Sequence, residues 1–340
     1  MVFRAQRVVP GFFLLAVLGG YAGRASAADP SADVVATASE VRYASGSRSS
    51  LVRGAPRLDL SAGVVQLELP EGWFLGEVTA VELRENGGLL LFNRGAHPLL
   101  EFDSEGAFIR EMGHGLFKVP HGLRLDAEGN VWTSDQETHQ VLRFSPEGQV
   151  TMVLGRGGFP GTGWFDRGYS VMLLNEPSDI GFDRSGNVYV ADAGNFRIVK
   201  YDSHGEPLRT WGSKGDGPGE FNFPHSIIVG PEDRIYVTDR ENGRIQIFDT
   251  EGRFLDEWAQ LGAAYVLTPG SDGTLWMTDA RAGVIMNLDL EGSILGTFGE
   301  WGKEVGDFGF GHGIAVAKDG SIYVSELLNW RVQVLRPRGK

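Results

Sequence analysis

The chain has 340 residues, 42% of them apolar, with a formal net charge of −13 and no cysteine. That is enough apolar material for one large domain with a sizeable core. The missing cysteines exclude disulfides, thiolate metal sites and thiol catalysis, and the acidic balance argues against nucleic acid or an anionic membrane as a partner.

Residues 1–27 read as a signal peptide: a basic start (Arg4, Arg7), an apolar run over 8–20, and Ala25-Ser26-Ala27 as a small-residue cleavage site. The run is short for a membrane span, although an uncleaved N-terminal anchor is the competing reading. Cleavage predicts a secreted or periplasmic protein, monomeric and with no stable membrane insertion. Residues 28–60 are rich in Ala, Ser and Arg and lack periodicity, so they are expected to form a mobile linker.

From residue 61 onward the sequence repeats. Six copies fall roughly at 74–113, 116–155, 173–212, 220–258, 261–299 and 307–340. Each reads as strand, turn, strand ending in a polar or acidic residue, short loop, strand, turn, strand. In the second copy these are Gly122–Asp126, Asn130–Asp135, Gln140–Phe144 and Gln149–Leu154. Alternating apolar and polar residues mark half-buried antiparallel strands, and four-strand units of this length are propeller blades. The sixth copy stops after its third strand, Arg331–Leu335. The stretch Gly63–Leu69 is expected to supply the missing outer strand, closing the ring and removing an exposed edge. The prediction is an all-β, six-bladed β-propeller over residues 61–340, with an open or seven-bladed ring as the alternative.

Aligned on the first turn, the copies place Thr79, His121, Ser178, His225, Tyr265 and His312 in one slot at the start of the inner strand. Histidine occupies copies two, four and six, which a six-bladed ring sets in a near three-fold cup around the channel. Three imidazoles around one point suit zinc, with a fourth position left open for chemistry. The competing reading is that each histidine merely packs or caps its strand start. Arg94 and Arg240 share a second slot, just after Asn93 and Asp239, where guanidinium forks would hold an anionic substrate or pair with acids of the inter-blade loops. The acids Asp135, Asp192, Asp239, Asp279 and Glu326 end the second strand in five copies and read as architectural. His97, His114, His139 and His204 lie in loop-like contexts and carry little signal.

From about residue 74 to the C-terminus the chain resembles the NHL-repeat propellers, and more narrowly the peptidyl-α-hydroxyglycine α-amidating lyases (peptidylamidoglycolate lyases). The stretches that carry the resemblance are Leu91-Phe92-Asn93-Arg94-Gly95, Val119-Pro120-His121-Gly122-Leu123 and, most specifically, Phe223-Pro224-His225-Ser226 followed by Asp239–Gln246. The resemblance implies a zinc held by His121, His225 and His312, with Arg94 and Arg240 handling a substrate carboxylate. It also implies a structural calcium on the backbone carbonyls of Val81 and Leu123, and cleavage of a C-terminal α-hydroxyglycine to an amide and glyoxylate. Two features depart from the family. Its catalytic tyrosine is missing from the third-blade loop Asp192–Arg197, and Gly313 stands where the family has a calcium-binding aspartate. Tyr265, or Tyr169 in the insertion at 156–172, is the expected substitute phenol. The alternative to an enzyme is a non-catalytic propeller binding a peptide, glycan or protein partner.

Overall fold

The computed structural model describes residues 50–161 and 172–339. The expected signal peptide, most of the expected linker and Tyr169 lie outside the described residues. Six four-stranded antiparallel sheets form the six blades. Their inner strands are Val78–Leu83, Pro120–Leu125, Pro177–Phe182, Pro224–Val229, Ala264–Pro269 and Gly311–Val316. Apolar side chains alternate between the faces of each sheet and pack between neighbouring blades, as where Trp132, Val141 and Leu154 of blade two meet Ile180, Val188 and Val199 of blade three.

The ring closes as expected but in a different register. The outer strand of blade six is Leu60–Val64, antiparallel to Arg331–Pro337, with Leu60 opposite Pro337 and Val64 opposite Gln333. The rest of the expected strand crosses to blade one, where the Glu68 N–H donates to Gly106 O at 2.8 Å. The reason is the alternation Leu58, Leu60, Ala62, which packs with Leu335 and Trp276 in the core between blades five and six. The end of the expected linker is also ordered. Ser50–Gly54 is a short helix whose Val52 is buried among Trp258, Leu261 and Val284 of blades four and five. Pro56 O accepts from Thr297 N, and Thr297 O from Leu58 N. A chain truncated before residue 65 should therefore expose the edge of Arg331–Pro337 and self-associate. Light scattering should show concentration-dependent growth that the full chain lacks.

The strand-ending acids are architectural, as expected. Asp239, for example, accepts from the Asn222 N–H at 2.7 Å and from Arg244 Nε at 2.9 Å, and Glu326 accepts from the Gly309 N–H and from Arg331 Nε. They tie the blade's entry loop to its second strand, and in blades three, four and six an arginine of the third strand joins them, which fixes where the inner strand begins.

Candidate metal centre at the channel mouth

In every blade the inner strand slips register against the second strand across the slot residue: between Val78 and Ala80, Pro120 and Leu123, Pro177 and Asp179, Pro224 and Ser226, Ala264 and Leu267, and Gly311 and Ile314. A bulge re-aims the side chain at its centre and leaves backbone groups unpaired. Here it turns the even-blade histidines towards the axis and frees the odd-blade carbonyls to receive them.

The three histidines converge. Their ring centroids lie 4.7, 4.9 and 5.0 Å apart, and one nitrogen from each lies within 4.8 Å of the others. His121 Nδ1 is 2.8 Å from Ser178 O, His225 Nδ1 is 2.9 Å from Tyr265 O, and His312 Nδ1 is 2.7 Å from Thr79 O. All three acceptors are slot residues of the next blade. A carbonyl cannot donate, so each Nδ1 carries the proton and each Nε2 keeps its lone pair. Ser134 and Thr238 brace two of the same carbonyls, donating to Ser178 O at 2.8 Å and to Tyr265 O at 3.0 Å. Gly122 lets the neighbouring strand come this close, since a Cβ there would meet Ser178 O at 2.5 Å.

Burial is the main force keeping the imidazoles neutral. It drives His121 and His225 well below the ordinary histidine range, helped respectively by His312 and by His121, and it takes His312 to about 3, helped by Arg94. His225 Nε2 is buried without a hydrogen-bond partner. Neutral imidazoles with fixed tautomers, second-sphere acceptors and an orphaned lone pair form a donor set that fits zinc.

Both predicted arginines stand at this mouth, and both are already paired. Arg94 Nη1 is 2.9 Å from Glu77 Oε2, and its Nε donates to Pro120 O at 3.2 Å. Arg240 Nε is 2.8 Å from Glu241 Oε1, which also receives Arg281 Nη2. One carboxylate between two guanidiniums leaves a net positive charge there. Tyr265 is buried beside them, its ring 4.8 Å from that of His225 and 5.7 Å from that of His312. Arg240 lies over the Tyr265 ring at 5.1 Å. Arg281 lies 6.0 Å from the Tyr265 ring centroid, and although burial opposes its charge, Glu241 and Tyr265 raise its pKa. Arg281 was missed in the sequence because it follows the arginine slot, held in blade five by Ala280, by one residue.

Calcium does not fit where it was expected. Val81 and Leu123 line a cavity of about 10 Å³ beneath the histidines together with Arg124 and Asp179. Calcium takes six to eight oxygen ligands, but Asp179 is already bound to Arg124, to Ser226 Oγ at 2.6 Å and to Ile227 N at 3.2 Å. A Cβ on Gly313 would sit 2.7 Å from Ala80 Cα, so blade one fills the place a carboxylate would need. A guanidinium, rather than a divalent ion, is the cation of the channel floor.

Comparison with known proteins agrees with this architecture. The NHL repeat family matches residues 174–201 and 221–248, in blades three and four. Over 191 residues, 46% of the chain, the protein is 31% identical to peptidyl-glycine alpha-amidating monooxygenase of Mus musculus, covering 19% of that protein. Over 167 residues, 41% of the chain, it is 30% identical to peptidyl-alpha-hydroxyglycine alpha-amidating lyase 1 of Drosophila melanogaster, covering 29% of that protein. The match thus spans less than a third of either relative. Among solved structures, a streptogramin B lyase shares the fold with a TM-score of 0.60 at 18% identity, covering 82% of this chain and 97% of that one. The chain is a six-bladed propeller that matches the NHL repeat in blades three and four and is similar over part of its length to the amidating lyases.

Proposed function

We propose that this protein is an exported, metal-dependent lyase that splits an α-hydroxyglycine-type substrate into an amide and glyoxylate. The observation that carries the proposal is the cup of His121, His225 and His312, whose Nδ1 protons are all engaged by backbone carbonyls. Zinc held there would supply Lewis acidity towards the substrate hydroxyl. The chain's own residues supply positioning and proton handling. Arg240 and Arg281 share one glutamate and so keep positive charge for the substrate carboxylate, with Arg94 on the opposite side of the mouth. Tyr265, as a phenolate whose charge the adjoining guanidiniums would meet, takes the hydroxyl proton and, as the resulting phenol, returns it to the departing nitrogen. The O–H bond breaks and a carbonyl forms. The C–N electron pair leaves with nitrogen, which receives the proton, so no oxidant or water is consumed.

Glyoxylate release from a peptide ending in α-hydroxyglycine tests this reading. Tyr265→Phe should lower kcat by about 10²–10⁴-fold with metal content unchanged, while Arg240→Ala should chiefly raise KM. Equal, slow release by the wild type and both variants would remove the assignment. It would leave a non-catalytic propeller binding a partner through its rim, a reading favoured by the glutamate pairing of both arginines.

A further inference from the structure

Outside the channel, the described residues hold one other compact set of metal-ligating side chains. His97, Glu111 and His114 offer ligand atoms within 4.8 Å of one another. They come from three different segments of blade one. His97 lies in the loop after the second strand, Glu111 on the outer strand Phe108–Met112, and His114 in the connector leading to the strand of His121. His97 Nδ1 is 3.0 Å from Glu111 Oε2, and His114 Nδ1 is 2.9 Å from Glu111 Oε1.

We propose that His97, Glu111 and His114 form a second zinc site, on the rim of blade one and independent of the channel. Zinc bonds to nitrogen and oxygen of about 2.0–2.2 Å put tetrahedral ligand atoms roughly 3.4 Å apart. The two His–Glu contacts need to widen by only a few tenths of an ångström when the ion replaces their protons. The first imidazole is held ready. Trp73 stacks on the His97 ring with centroids 3.3 Å apart and planes within 3°, and Asn93 Nδ2 donates to His97 O at 2.9 Å. The second is set by Gly113 and Gly115, both at positive φ (64° and 75°), which turn the connector so that His114 points back to Glu111 three residues earlier. The side chain of Glu111 is only 15% exposed whereas that of His114 is 72% exposed, so a fourth position would face solvent. Two imidazoles and one carboxylate are a zinc donor set and too few oxygens for calcium. The bound ion would staple the loop carrying Arg94 to the connector that leads into His121.

The test is a zinc titration of the chelator-stripped full chain against a chromophoric zinc indicator, with thermal unfolding followed in parallel. The wild type should take two equivalents, the rim one weaker. His114→Ala and Glu111→Gln should each take one, His225→Ala one, and His225→Ala combined with His114→Ala none. Zinc should raise the Tm of His225→Ala and leave that of the combined variant unmoved. A folded His225→Ala variant that takes no zinc, or a folded His114→Ala or Glu111→Gln variant that takes as many equivalents as the wild type, overturns the rim site. The His225→Ala background lacks the channel site, so the rim proposal stands or falls apart from the lyase assignment.

Discussion

Replacing His225 by alanine should empty the channel of zinc and abolish lyase turnover while leaving the propeller folded. The expectation rests on what each histidine does. His225 Nε2 is buried with no hydrogen-bond partner, so the fold gains nothing from that atom unless an ion uses it, and its desolvation is a standing cost. Zinc binding of about 10–16 kcal/mol spread over four ligands puts the loss of one at roughly 10²–10³-fold in affinity. After dialysis against a mild chelator that also strips the exposed rim, the wild type should retain one zinc per chain and His225→Ala none, as elemental analysis would show. Stability should change little in comparison, because the blades on either side are held by strand pairing and by core residues remote from the channel, such as Ile245 and Phe248. A His225→Ala protein that keeps its zinc, or a metal-free wild type, would remove the centre on which the enzymatic reading depends.

The recurrence of one geometry made this site legible. His121, His225 and His312 lie far apart in the chain, and no local spacing links them. Yet the repeat assigns them one slot, and the structure brings them together there. The same recurrence identified the architectural acids, because a residue present in nearly every blade serves the blade. Features that belong to one blade, or that act across blades, were much less legible. Ser134 and Thr238 precede the acids Asp135 and Asp239, but nothing in the alternation says that their hydroxyls cross to the carbonyl of the next blade. His97 and His114 looked like unrelated loop histidines, since a loop, a strand and a connector meet only once blade one is folded. The closing strand was set three residues late because Gly63 was read as its start, whereas Leu58 and Leu60 are what the core needs. The glutamate pairing of Arg94 and Arg240 was foreseen as a possibility of charge chemistry, but its partners depend on which loops face the mouth.

Arg124 is the residue whose loss should harm folding most. It projects from the inner strand of blade two across the channel and touches four other blades. Its Nε is 3.0 Å and its Nη2 2.6 Å from Asp179, its Nη2 lies 3.3 Å from Ser226 Oγ and 3.0 Å from Leu267 O, and its Nη1 is 3.3 Å from Glu82. Burial opposes its charge, but Asp179 and Glu82 outweigh that and raise its pKa. Arg124→Met fills much of the same volume while leaving Asp179 buried and uncompensated, and such a change costs about 3–5 kcal/mol. Replacing Arg124, Asp179 and Glu82 together by Met, Asn and Gln removes the charges as a set and should recover most of the loss, because hydrogen-bonding and apolar groups can share the space without a desolvated ion. The acidity of the network gives a second readout. Burial pushes Glu82 up to about 7 against the pull of Arg124. Between about pH 4.5 and 7 the folded chain therefore keeps a proton that the unfolded chain has released, and the contribution of Glu82 to stability falls as pH rises through that window. Without Arg124 the window should extend to higher pH, and in the triple variant it should vanish. Urea unfolding at pH 5 and pH 8 separates these cases. A single Arg124→Met variant as stable as the triple one would mean that packing, not charge, closes the channel floor.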